Sequence, residues 1–128
     1  MKTRFIYLPG IALMVFALVF VSCEKDEKVS SGNCNVSDPL QELPWLKEAL
    51  GEINQSDNEL ADYAYIMSAT YNGQTVFYIG NCHPAVNMQI SVQNCEGEVI
   101  GDINDLAGEL TNQKVLWKHE NSPCHFGE

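Results

Sequence analysis

The sequence contains few basic residues. Only 7 of its 128 residues are Lys or Arg, against 17 that are Asp or Glu. Lys2 and Arg4 lie in a segment that we expect to be removed, which leaves five basic residues against 17 acidic ones and a net charge of about −12. Such a charge disfavours nucleic acid and anionic bilayer surfaces as partners, because both repel it.

The sequence also lacks the spacings that are typical of metal sites. It has no Cys-x-x-Cys and no His-x-x-x-His pattern. Cysteine and histidine are ligands that zinc or copper prefers. They are adjacent in Cys82-His83 and Cys124-His125, and Cys95 and His119 could supply further ligands. Adjacent side chains of a strand point to opposite faces, so a neighbouring Cys-His pair makes a poor bidentate ligand. We expect no metal or other cofactor, and a Cys/His metal-binding module is the alternative.

A recognisable catalytic constellation is missing as well. A cysteine nucleophile needs a free thiol of low pKa beside a histidine, whereas the cysteine count favours full pairing. Asp102, Asp105 and Glu109 could supply paired carboxylates. Acidic residues at a loop and a helix start are usually caps and solvated surface, however. We therefore predict that the protein is not an enzyme.

Residues 1–22 have the layout of an export signal. The two cations precede an apolar run over residues 5–21, and the small Ser22 stands directly before Cys23. This layout resembles a bacterial lipobox, in which the cysteine is alkylated by diacylglyceryl, the preceding peptide bond is cut and the new amine is acylated. Phe20 departs from the pattern, since leucine is usual there. The alternative is a retained transmembrane helix, although the run is shorter than the roughly 20 residues that span a bilayer.

The segment after Cys23 predicts a tether. Glu24-Lys25-Asp26-Glu27-Lys28 is a solvated charge cluster, and residues 29–33 are mostly small and polar. The charge cluster resembles the acidic signal that directs lipoproteins of the phylum Bacteroidota to the outer face of the outer membrane. We therefore expect a lipidated cysteine and acidic tether over residues 23–36 on a surface lipoprotein, with the periplasmic face as the alternative location.

Residues 37–128 predict one α+β domain. The apolar positions from Trp45 to Ile53 have helical spacing behind Pro44, which suits a first helical turn. Asn72-Gly73 between two β-rich runs favours a type I′ hairpin. We expect an amphipathic helix packed on an antiparallel β-meander of four to five strands. The predicted strands cover residues 63–71, 74–79, 88–93, 98–103 and 115–118, with a helical turn at 104–110.

Four cysteines besides Cys23 predict two disulfides, because an even number in a small exported domain is typical of full pairing. If the third strand is straight, Cys82 and Cys95 lie at opposite ends of it, beyond the roughly 7 Å that a bridge allows between Cα atoms. An even meander would then bring Cys124 near Cys95. These arguments predict the pairs Cys34–Cys82 and Cys95–Cys124.

Several short motifs between Cys34 and Cys124 form an ordered set. They are Leu43-Pro44-Trp45-Leu46-Lys47, the strand 74–79 near a cysteine, Asn94-Cys95-Glu96-Gly97-Glu98 and Val115-Leu116-Trp117-Lys118. The set resembles a group of small uncharacterised lipoproteins from Bacteroidota. This resemblance implies a cysteine-stapled lipoprotein domain and implies no activity.

The hairpin is rich in aromatic residues, which alternate onto both faces of its strands. Some of them must therefore stay outside the core, and exposed tyrosines suit contacts with proteins or glycans. The alternative is that they pair across the strands and stabilise the hairpin. We predict a membrane-anchored binding or interaction module with a protein or glycan partner, and an inhibitor of a secreted enzyme is a further alternative. The predicted binding face contains Tyr63, Tyr65, Tyr71 and Tyr78.

Overall fold

A computed structural model describes residues 34–127 of the chain. The predicted signal peptide, the lipidation site Cys23 and the tether up to residue 33 lie outside the described residues. Within residues 34–127, no helix has the length and apolar character that crossing a bilayer requires. The elements in chain order are α1 (Pro39–Glu42), α2 (Pro44–Gln55), a 3₁₀ helix (Glu59–Tyr63), β1 (Ala64–Tyr71), β2 (Gln74–Asn81), β3 (Ser91–Gln93), β4 (Val99–Asp102), α3 (Ile103–Leu106) and β5 (Thr111–Lys118).

The hairpin of β1 and β2 is the centre of the fold. Its strands pair without interruption from Ala64 opposite Asn81 to Tyr71 opposite Gln74. The two turn residues have positive φ values, 48° at Asn72 and 75° at Gly73. Both values are what a type I′ turn requires, and the turn's twist matches that of the strands. The predicted hairpin is therefore confirmed.

All five strands form one antiparallel sheet in the order β4-β3-β2-β1-β5. The predicted α+β class and strand number are confirmed, but the strands are not in sequential order. β5 returns past the hairpin and pairs with the outer side of β1. It also begins at Thr111, four residues before the predicted start. The connection from β4 runs through α3, whose Leu106 is buried with Leu110 against the sheet, so the chain crosses the sheet before β5 begins.

Each face of the sheet carries its own apolar cluster. On the face that we call the helix face, Ile66 and Phe77 are buried with Leu43 and Leu46, and most of α2's apolar stripe packs around them. On the opposite face, which we call the groove face, Met67, Ala69, Val76, Tyr78 and Val92 are buried with Leu106 and Leu110. The structure therefore has a second apolar layer that the sequence analysis did not predict.

All four cysteines of residues 34–127 are in disulfides, but the predicted pairing is wrong. The bonds join Cys34 to Cys95, with Cα atoms 5.5 Å apart, and Cys82 to Cys124, with Cα atoms 5.7 Å apart. The error follows from the position of β5. β5 lies beside β1, and its last residue, Lys118, pairs with Tyr65. Tyr65 in turn pairs with Gly80, near the end of β2 and just before Cys82. The chain after β5 therefore begins at the same end of the sheet as Cys82. Cys95 lies at the other end.

Trp45 joins α2 to the turn that contains Cys95. Its indole N–H donates to the Cys95 carbonyl oxygen at 3.0 Å, and its ring meets Phe77 edge to face, with centroids 6.0 Å apart. Gly97 in the same turn has a φ of 82°, and a Cβ there would lie 2.8 Å from Cγ of Trp45. Only glycine therefore fits this close approach of the helix to the turn.

Candidate functional site: a groove beneath the C-terminal segment

Three of the four predicted tyrosines lie on the groove face. Tyr65 and Tyr71 are half-buried against its apolar cluster, and Tyr78 is only 5% exposed. Tyr63 belongs to the 3₁₀ helix, where its ring meets the His83 ring edge to face at 4.6 Å between centroids. The structure therefore brings Tyr65 and Tyr78 together and places Tyr63 elsewhere.

An open groove of about 780 Å³ lies above Tyr65 and Tyr78. Its floor is the groove face of β1 and β2, and one side is β5. The other side is the C-terminal segment, which we define as residues 124–127. The residues that line it are Tyr65, Met67, Tyr78, Gln113, Val115, Lys118, Cys124, His125, Phe126 and Gly127.

Tyr65 is held in place from both sides of its ring. It stands directly opposite Gly80 in the hairpin, and a Cβ at Gly80 would clash with Cζ and Oη of the ring. The ring therefore lies across the bare backbone of β2. Phe126 packs against it edge to face, with centroids 4.9 Å apart. The hydroxyl of Tyr65 has no hydrogen-bond partner among residues 34–127.

Tyr78 is fixed by β5. Its hydroxyl donates to Oε1 of Gln113 at 2.7 Å, which orients the amide of Gln113 and leaves its N–H₂ group turned away from this bond. Burial raises the pKa of the Tyr65 phenol. Burial, followed by the nearby Tyr65, raises the pKa of the Tyr78 phenol. Both hydroxyls therefore keep their protons at neutral pH and can act as donors.

The groove has an unusual charge for this chain. No Asp or Glu lines it, and its charged groups are Lys118 and, when protonated, His125. The one ion pair within the described residues joins His119 to Asp62 at 3.6 Å, so Lys118 has no carboxylate partner there. A basic group without a counter-ion thus lies in a strongly acidic domain.

The Cys82–Cys124 disulfide holds the C-terminal segment over the sheet. Cys124 is 3% exposed, and its sulfur lies 3.3 Å from the carbonyl oxygen of Tyr63. The backbone N–H of Cys124 donates to the hydroxyl of Ser122 at 3.2 Å. Because Phe126 follows two residues later, the disulfide fixes the wall that covers Tyr65.

The other candidate sites of the sequence do not assemble into a centre. Within residues 34–127, no group of three or more His, Cys, Asp or Glu side chains is placed to hold a metal ion. Asp102 caps α3, since its Oδ1 accepts from the backbone N–H of Asn104 at 2.8 Å. Its other carboxylate oxygen is buried without a partner among the described residues. Asp105 and Glu109 are exposed.

Sequence reasoning missed Gln113, Lys118 and Phe126 as groove residues. The first two belong to β5, and period-2 alternation from residue 111 would have placed Gln113 and Val115 on one face. Phe126 has no signal of its own apart from its position two residues after Cys124.

The fold and the groove define a small, disulfide-bonded α+β domain with an open, aromatic-floored cleft. Comparisons of the chain with protein-family models, with curated proteins and with solved structures find no match.

Proposed function

We propose that this chain is a lipoprotein anchored in the outer membrane through Cys23, exposed at the cell surface, and that its domain is a binding module. The lipobox-like sequence, the acidic tether and the resemblance to small Bacteroidota lipoproteins support the anchor. The groove supports binding, and its volume falls within the roughly 300–1,000 Å³ of typical ligand sites. All four cysteines of the domain are in disulfides, which favours this function over a Cys/His metal module, because thiolates are the ligands such a module needs.

One observation carries the binding proposal: the Tyr65 hydroxyl is an unpaired donor on the floor of an open groove. Aromatic residues with a polar tip are favoured at contact surfaces because they combine apolar area with a hydrogen bond. Tyr65 is also rigid, since Gly80 and Phe126 fix its ring. A rigid donor loses little conformational entropy when it binds a partner.

The anchor is tested by intact mass on the protein purified from its native membrane, with and without reduction and alkylation. We expect acyl mass on a chain that begins at Cys23, and no alkylated thiol until the protein is reduced. A chain that retains residues 1–22, or that carries free thiols before reduction, would contradict the anchored and stapled form. Labelling of intact cells with a membrane-impermeant amine reagent separates the outer from the periplasmic face.

The site is tested by photo-crosslinking on intact cells. A photoreactive residue replaces Val115, which is 38% exposed and lines the groove. The matched control replaces Val99, which is 62% exposed on β4 at the opposite edge of the sheet. We expect a defined adduct from position 115 that weakens in a Tyr65→Phe background, since phenylalanine keeps the ring contacts and removes only the hydroxyl. The same adducts from both positions would argue against a site in the groove.

A further inference from the structure

The charge of the groove differs from that of the molecule around it. The mature chain would carry a net charge of about −12, yet no carboxylate lines the groove. Residues 34–127 contain three lysines, and two of them, Lys114 and Lys118, lie on β5, which has no acidic residue. The acidic surface of the protein repels anions, and this repulsion is weakest at the groove. The unpaired ammonium group of Lys118 attracts an anion there.

The polar groups in the groove are mostly donors. The Gln113 carbonyl accepts from the Tyr78 hydroxyl, so the remaining polar group of this lining residue is its amide N–H₂, which has no partner within the described residues. The Tyr65 hydroxyl, like any tyrosine hydroxyl, is protonated at neutral pH, and burial raises its pKa further. Lys118 adds three N–H donors and no acceptor. An ionised carboxylate is an acceptor-only group, and it forms its strongest hydrogen bonds with charged donors.

We infer that the groove binds a ligand through a carboxylate held between Lys118 and the Tyr65 hydroxyl, with the Gln113 amide as a further donor along β5. This inference rests on the proposed binding function. Lys118 stands opposite Tyr65 in the pairing of β5 with β1, and directly opposite residues have Cβ atoms only about 5 Å apart. The Tyr65 ring leans over Gly80 of β2, so its hydroxyl and Lys118 flank β1 from opposite sides, and a carboxylate above β1 would lie between them.

The groove also contains apolar side chains, which limit the ligand further. Met67 and Val115 are on the floor and the β5 side, and Phe126 is on the wall. The ligand therefore carries a carbon skeleton next to its carboxylate. A sugar acid, an aromatic acid and an acidic amino acid share this chemistry, and a set of acids, each paired with a neutral analogue, distinguishes them.

The test uses the full mature chain with Cys23→Ser, so that only the acyl group is missing. The probes are three pairs that differ in the carboxylate: glucuronate and glucose, benzoate and benzamide, and the α-amides of N-acetylglutamate and N-acetylglutamine. Binding is followed by the NMR signals of the Met67 and Val115 methyl groups. We expect at least one acid to shift both signals and its neutral counterpart to shift neither. The pair that responds identifies the skeleton.

Two substitutions test which donors are responsible. Lys118→Gln should weaken binding of that acid about ten- to a hundredfold, as expected for loss of a charge-assisted hydrogen bond. Tyr65→Phe should weaken it by a smaller factor. Lys47→Gln is the matched control, because Lys47 is exposed on α2 and the substitution changes the net charge equally. A Lys47→Gln effect as large as that of Lys118→Gln would overturn the inference.

The remaining outcomes separate this inference from the proposed function. Neutral probes that bind in the groove as tightly as the acids would overturn the carboxylate and leave a binding module. If none of the six probes shifts the methyl signals and position 115 still gives an adduct, only the inference of a carboxylate ligand would be overturned. Silence of all six without any adduct would overturn both proposals.

Discussion

The two disulfides close loops of similar length, so removing either one should lower the free energy of unfolding by a similar amount. The structural changes should nevertheless occur in different parts of the molecule. Their sequence separations are 61 residues for Cys34–Cys95 and 42 residues for Cys82–Cys124. The chain entropy that each bond removes from the unfolded state corresponds to about 4 kcal/mol in both cases. We therefore expect Cys34→Ala with Cys95→Ala and Cys82→Ala with Cys124→Ala to lower the free energy of unfolding by nearly equal amounts.

The structural consequences should differ, because the two ends of the sheet have different non-covalent support. Without the Cys34–Cys95 bond, the Trp45 indole can still donate to the backbone oxygen of residue 95, which lies 3.0 Å from it in the intact protein. Without the Cys82–Cys124 bond, the contact between the Phe126 and Tyr65 rings has to hold the C-terminal segment. An edge-to-face pair contributes only about 0.5–1.5 kcal/mol beyond its buried area. The segment should therefore detach and open the groove.

Urea unfolding measures the stabilities, with m-values fitted separately because an uncrosslinked unfolded chain exposes more surface. Nuclear Overhauser contacts between the Phe126 and Tyr65 rings report the wall of the groove. We expect these contacts to persist in the Cys34/Cys95 double variant and to vanish in the Cys82/Cys124 double variant. Their persistence in both variants would refute the role of the second disulfide in fixing the groove. A loss of less than about 1 kcal/mol in either variant would refute the entropic estimate.

Four further predictions concern three glycines and the Tyr65 phenol. Gly73→Ala should cost about 1–2 kcal/mol for its positive φ alone, since no atom lies within 4 Å of its Cβ site. Gly97→Ala should cost about 1–3 kcal/mol more in urea unfolding, because its Cβ meets Trp45. Gly80→Ala should cost about 1–3 kcal/mol, and most of that loss should disappear in a Tyr65→Ala background, as a double-mutant cycle would show. The raised pKa of Tyr65 gives a stability term that is fully present below pH 10.0, the ordinary value, and is lost as the pH rises through the folded-state pKa. Tyr65→Phe should reduce this alkaline loss and remove a late component from the phenolate absorbance titration.

The elements that depend on local chemistry could be predicted from the sequence. Asn72-Gly73 specifies a type I′ turn through its own φ preferences, and the register of β1 and β2 follows from that turn. The helix from Pro44 was predictable in the same way, because its first-turn proline and its 3.6-residue apolar period need no information from the rest of the chain.

The position of β5 depends on contacts distant in sequence. Residues 115–118 are consistent with a strand on either edge of the sheet, because the alternation of a strand specifies its faces and not its neighbour. The choice is made by the connection from β4, in which Leu106 and Leu110 bury themselves against the groove face. The disulfide prediction placed the last strand beside β4 instead of beside β1. This placement brought Cys124 near Cys95 and so led to the wrong pairs.

The face of the sheet on which the tyrosines lie, by contrast, could be predicted from the sequence. Once a two-residue turn places Tyr71 opposite Gln74, Met67 must stand opposite Tyr78. Odd-numbered residues of β1 and even-numbered residues of β2 then share a face, which collects Tyr65, Tyr71 and Tyr78 on one side of the sheet. No local rule places Phe126 above them, because its position follows from the crossover of β5 and the disulfide to Cys124. The floor of the candidate site is thus a local property of the hairpin, and its wall is a property of the topology.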